Sequence, residues 1–156
     1  MKKIDLHIHT VKSISDADFN FSLIRLQEYV NAMNIDCIAI TNHNLFDITQ
    51  FREITTLLNN IVVFPGIEIN LCGGHLLLIS DSSNLEEFSK RADCVKNKIT
   101  LATDSLSYEE FINIYPDYEK YLLIPHYDKT PSLSFETIKL FGDNIFTGEV
   151  SSPKKF

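Results

Sequence analysis

Short apolar runs alternating with longer amphipathic ones constrain this chain more than any other feature. That alternation is what βα units around a parallel sheet require. The strand candidates are Lys3–His7, Asp36–Thr41, Ile61–Ile69, His75–Ser80, Tyr121–His126 and Ile145–Val150. The spacers carry readable helix starts. Phe21–Met33 sets Leu23, Leu26, Tyr29, Val30 and Met33 on one face. Asp47 with Gln50 caps Phe51–Leu58, Asn84 with Glu87 opens a further helix, and Ser107 with Glu110 forms a capping box before Phe111–Tyr115. Pro116 closes that helix, and a last one runs Phe135–Phe141 to Gly142. The stretch Asp93–Ser105 has no clean period and receives no assignment.

Size and charge narrow the function classes. With 156 residues the chain holds one core without covalent staples. A net charge of −7 argues against wrapping duplex nucleic acid by bulk charge, although bound divalent ions add positive charge that residue counting does not see. Three widely spaced cysteines without a C-x-x-C pair suggest reduced thiols, neither a zinc ribbon nor a redox pair. Asp5, His7 and His9 break what would have to be the apolar stretch of a signal peptide, and no run approaches a membrane span. A cytoplasmic protein with no membrane partner is expected. The end, Gly148-Glu149-Val150-Ser151-Ser152-Pro153-Lys154-Lys155-Phe156, follows a strand candidate with no closing helix. Because a βα barrel typically runs to about 200 residues or more, residues 1–156 are expected to be one domain, incomplete at its C-terminus, from the N-terminal part of a longer protein. A compact α/β domain complete in itself is the alternative.

The five histidines carry the chemistry. His7, His9, His43 and His126 fall at or just beyond the C-terminal ends of strand candidates, the rim where ligand sites form in parallel α/β folds. His75 begins its run after Gly73-Gly74, which points to a local antiparallel hairpin. Two residues apart on a strand, His7 and His9 project from one face and can reach one metal ion, though such a pair alone is more often a plain surface feature. Their company changes that. Asp16 follows, Thr41-Asn42-His43-Asn44 ends the second strand in polar residues, and Glu68 stands among branched apolar neighbours with no basic residue close in sequence. A buried carboxylate needs a cation or a proton. Ile124-Pro125-His126-Tyr127-Asp128-Lys129 repeats the pattern of an apolar strand ending in histidine and charge. Mixed imidazole and carboxylate sets suit zinc, manganese or iron.

In this order, Asp5-Leu6-His7-Ile8-His9-Thr10, Ser15-Asp16, Thr41-Asn42-His43-Asn44, Gly66-Ile67-Glu68, His75 and His126 resemble the successive motifs of PHP (polymerase and histidinol phosphatase) domains. The resemblance implies a distorted seven-stranded βα barrel, incomplete here, with a cleft for two or three divalent ions. It makes His7, His9 and His126 ligands of a first ion, Glu68 a bridge to a second completed by His75, and Asp16 and His43 ligands of a third. Three departures stand out: Asn42 where the family usually has Asp, Ala17 where it usually has Gly, and a last Asp-x-His-like motif that would fall beyond Phe156. The stretches around His126 and Glu149 resemble a narrower branch in which an SMC- or ABC-like ATPase follows, associated with bacterial anti-phage defence.

The expected activity is metal-dependent phosphoester hydrolysis, as a phosphoesterase or nuclease acting on a phosphorylated small molecule or nucleic acid. Lys129 is the candidate phosphate contact, and Asp128 the candidate to orient His126 or move a proton. Asn42 and the missing last motif favour an alternative, a non-catalytic metal-stabilised module that regulates a neighbouring ATPase. An amidohydrolase-like enzyme would share the H-x-H strand, but it normally uses a metal-bridging lysine for which there is no convincing candidate.

Overall fold

The computed structural model of the chain describes residues 1–127 and 130–150. It is a mixed α/β fold built on a curled, five-stranded half-barrel sheet in the order β1-β2-β3-β4-β5. The strands are β1 (Ile4–Ile8), β2 (Cys37–Ile40), β3 (Val62–Leu71), β4 (Gly74–Ile79) and β5 (Leu122–Pro125). The first three pair in parallel, as the βα alternation requires. β4 then runs antiparallel to both β3 and β5. This is the hairpin that His75 signalled, and it corrects the expectation of a purely parallel sheet. Cys72 and Gly73 make the turn at positive φ, 47° and 78°. Seven strands are not present among the described residues. The candidate Ile145–Val150 appears only as a parallel bridge between Glu149 and His126.

Among the described residues four α-helices lie between strands, α1 (Leu23–Met33), α2 (Ile48–Leu57), α3 (Leu85–Lys98) and α4 (Tyr108–Ile114), and a fifth, α5 (Phe135–Leu140), follows β5. Their starts follow the capping signals. Asp47, Asn84 and Ser107 each accept a hydrogen bond from the amide three residues on, and Glu110 completes the capping box at α4. α3 runs further than its sequence suggested, taking up half of the unassigned Asp93–Ser105.

Alternation along the strands sorts side chains to two faces. Ile38, Ile40, Leu76, Leu78 and Leu123 pack outward under the helices with Val30, Ile54, Phe88 and Phe111. Ala39, Leu77, Ile79 and Ile124 cluster on the inner face, with Leu6, Phe64 and Leu122 against them. Glu68 shares its parity with Phe64, His75 with Leu77, and His126 with Ile124. Continued past the apolar inner face, that parity delivers a carboxylate and two imidazoles to one rim. On β1 the register shifts between Asp5 and Ile8. Leu6 packs inward and Ile8 outward on either side of that irregularity, the kind of break that re-aims side chains at sites. Gly66 permits close apposition of β2 and β3, since a Cβ there would lie 2.6 Å from the Thr41 methyl. No helix among the described residues is long and apolar enough to cross a membrane.

Candidate metal centre

Glu68 is the hub. Its carboxylate is fully buried, and ring nitrogens of all five histidines surround it. His7 Nε2 and His9 Nε2 each lie 2.9 Å from Oε2, and His43 Nδ1 lies 3.2 Å from the same oxygen. His75 Nδ1 and His126 Nε2 approach Oε1 at 3.3 and 3.5 Å. The backbone holds the hub rigidly. Asn42 O accepts from Glu68 N at 3.0 Å and Glu68 O accepts from Asn44 N at 2.8 Å, so the loop after β2 is tied to β3 where His43 projects.

Two more carboxylates stand behind the imidazoles. Asp16 Oδ1 lies 3.0 Å from His9 Nδ1 and 3.9 Å from His43 Nε2. Its Oδ2 accepts from the Ser13 amide and hydroxyl at 2.8 and 2.7 Å, which fixes the loop carrying it. Glu149 faces His7 Nδ1 at 2.9 Å and His126 Nε2 at 3.1 Å. Backbone bonds from Tyr127 N to Glu149 O and from Glu149 N to Pro125 O hold it beside β5.

Electrostatics follow from this packing. Burial pushes the His7 imidazole down, yet hydrogen bonds to Glu149 and Glu68 outweigh it and raise its pKa from 6.5 to about 9. Burial pushes Glu68 up, but His7 and His9 hold it far below the ordinary carboxylate range. Asp16 is likewise held low against burial, by the Ser13 hydroxyl and amide and by His9.

These donors fit divalent ions. Among the described residues, four groups have ligand atoms within 4.8 Å of one another: His7–His126–Glu149, His7–His9–Glu68, His9–Asp16–His43 and His43–Glu68–His75. His7 Nε2 and His9 Nε2 sit only 3.0 Å apart while both point at Glu68. Two neutral imidazoles can aim lone pairs at one cation this way, whereas two imidazolium N–H groups would repel. A carboxylate offers roughly four acceptor positions, fewer than the nitrogens crowding this one.

All seven ligand candidates from the sequence are therefore brought together: His7, His9, Asp16, His43, Glu68, His75 and His126. Asp128 and Lys129, the candidate proton-transfer and phosphate residues, lie outside the described residues. Asn42 turns its amide to the backbone after β1. Its Oδ1 accepts from Thr10 N at 2.6 Å and Val11 N at 2.8 Å, so it braces the loop that follows His9. Glu149 is the acidic residue the ligand reading missed. Like Glu68 it is a lone carboxylate in an apolar strand candidate, and that signal was available.

Among solved structures, the chain is similar to a protein from Bifidobacterium adolescentis described provisionally as a metal-dependent phosphoesterase. The TM-score is 0.60 at 14% sequence identity, over 94% of this chain and 76% of that one. The two share a fold. No family of known proteins matches the sequence, and no curated protein does.

Proposed function

We propose that the chain is a metal-dependent phosphoester hydrolase whose centre holds two divalent ions with Glu68 shared between them. The observation that carries this reading is one buried carboxylate met by ring nitrogens of five histidines. The likeness in fold to a protein described as a metal-dependent phosphoesterase supports it.

The ion count comes from lone pairs. A neutral imidazole has one lone pair and one N–H. His7 turns Nδ1 to Glu149 and Nε2 to Glu68; His9 turns Nδ1 to Asp16 and Nε2 to Glu68. His43 faces Asp16 through Nε2 and Glu68 through Nδ1. Each of these histidines serves one of its two groups at a time, so at most two of the four groups fill together. Filling the two groups that contain Glu68 leaves the outer ring nitrogens of His7 and His9 facing carboxylates. His7 and His9 then donate their outer N–H to Glu149 and Asp16, the carboxylate–histidine arrangement that fixes tautomer and ring orientation.

Zinc, manganese or iron suits this donor set. Bound there, such ions neutralise charge on phosphoryl oxygens and lower the pKa of attacking water. The chain's own residues hold and orient the reactants. Glu68 and its histidines would hold the ions, and Leu6, Phe64 and Leu77 pack together on the inner face of the sheet. Asp128 and Lys129, three and four residues past the end of β5 in sequence, are our candidates for proton transfer and phosphate contact. The substrate is a phosphorylated small molecule or a nucleic-acid phosphoester.

The test is hydrolysis of 4-nitrophenyl phosphate and bis(4-nitrophenyl) phosphate by chelator-treated and manganese-reloaded protein, with Glu68→Gln beside the parent. Manganese-dependent turnover that falls at least about 100-fold in Glu68→Gln is expected. Turnover indifferent to chelation, equal in Glu68→Gln, or absent from fully loaded protein on both esters contradicts the proposal.

A further inference from the structure

We infer that the cavity beside the Asp16–His43 edge of the centre binds the organic part of an ester carrying a second anionic group, and that Lys96 recognises that group. This rests on the hydrolase reading above and specifies its substrate class: an organic phosphate with an apolar body and a further negative charge.

The cavity measures about 860 Å³, far more than a phosphate ion needs. Asp16 and His43 form one side of it, so it opens directly onto the candidate metal ligands. Much of its lining is apolar: Val11, Ile14, Leu45 and Ile99. That surface offers contact to a hydrocarbon or aromatic body and little to a bare ion. The wall is preorganised. Asp104 accepts from the amides of Thr100 and Leu101, both at 2.8 Å, and pins the turn that follows Ile99.

Among the described residues, two cations line this cavity, Lys12 and Lys96. Lys12 is paired with Asp18. Lys96, in the last turn of α3, makes no ion pair among the described residues, whereas Lys98 two positions on reaches Glu110 at 2.8 Å. Lys96 is exposed at the cavity wall, so its ammonium can turn to an anionic group of a ligand. A second cavity that His43 also lines makes the contrast. A cavity of about 400 Å³ beside His75 has no lysine or arginine among its described lining residues. A ligand with its phosphoryl group at the centre and its body along Ile14, Leu45 and Ile99 presents a second anionic group to Lys96. That group can be a carboxylate or another phosphate.

The test compares phenyl phosphate with 4-carboxyphenyl phosphate, which differ by one anionic group, on manganese-loaded protein. Wild type is expected to show a KM lower for the carboxylated ester by roughly two- to five-fold, as suits an exposed charge pair. Lys96→Gln should bring the two KM values together and Lys96→Arg should keep them apart. Metal content and kcat on phenyl phosphate should stay as in wild type. A preference that persists unchanged in Lys96→Gln, or no preference in wild type, overturns the inference. If loaded wild type hydrolyses neither ester, the hydrolase reading fails. Calorimetric binding of the same two esters then decides the cavity separately. A Lys96-dependent preference for the carboxylated ester upholds it, and equal affinity or no binding overturns it.

Discussion

The raised pKa of His7 makes the metal-free protein unusually sensitive to alkali, by an amount that can be calculated. In the unfolded chain His7 titrates near 6.5, and in the folded, metal-free chain near 9. Its folded form therefore binds a proton that the unfolded form releases between those values. The associated stability is complete below pH 6.5 and lost as pH rises through about 9. A difference of about 2.5 pH units at about 1.4 kcal/mol each corresponds to about 3.5 kcal/mol over the whole titration, of which about 3 kcal/mol falls between pH 6.5 and 9. The side chain is 19% exposed, so solvent screening removes little of this. With a urea m-value of about 2 kcal/mol/M, the unfolding midpoint should drop by about 1.5 M between pH 6.5 and 9. Urea titrations of chelator-treated protein across that window measure it, with His7→Gln as the reference that removes the group. The slope should be largely absent in His7→Gln. It should reverse when metal is present, because ligation needs the neutral ring and affinity rises with pH. A flat or rising midpoint in metal-free wild type, or the same slope in His7→Gln, would refute the reasoning.

Two further perturbations separate the centre from its scaffold. Glu149→Gln keeps the size of the side chain but weakens the grip on His7 Nδ1, so metal affinity should fall about 10-fold or more with the fold intact; competition with a fluorescent chelator reads this. Gly74→Ala places a Cβ 2.3 Å from Leu133 N, a backbone atom that has little freedom to yield. Thermal unfolding should show a loss of about 1–3 kcal/mol or more, and an unchanged Tm would mean that the Ser132–Leu133 backbone does not pack against Gly74.

The features legible in the sequence were the local ones. Helix starts were readable because Asp47, Asn84 and Ser107 meet their partners within three residues. The strand ends were readable because an apolar run that breaks into histidine is conspicuous in composition alone. Direction was harder. Nothing within His75–Ser80 distinguishes a parallel strand from an antiparallel one, and only Gly73-Gly74 ahead of it hinted at the hairpin. The continuation of α3 to Lys98 was hidden by Ala92, a small residue on the buried stripe Phe88, Ala92, Val95, Ile99. A stripe with one weak member among Arg91, Asp93, Lys96 and Lys98 yields no clear period. Glu149 was visible as a lone carboxylate, but its pairing with His7 was not, since His7 lies 142 positions away and only the closing of the sheet brings them together. The resemblance to PHP domains named as ligands seven residues that the fold brings together. It could not show that Asn42 braces the loop after β1, because that role depends on where Thr10 and Val11 fall in space.

The most direct test of a two-ion centre shared at Glu68 is metal content per chain. It is measured by elemental analysis of protein purified without chelator or histidine tag, then saturated with manganese and desalted. Two equivalents in wild type, falling to one or none in Glu68→Gln, is the predicted result. Two equivalents retained in Glu68→Gln, or fewer than one in a correctly folded wild type, would contradict it.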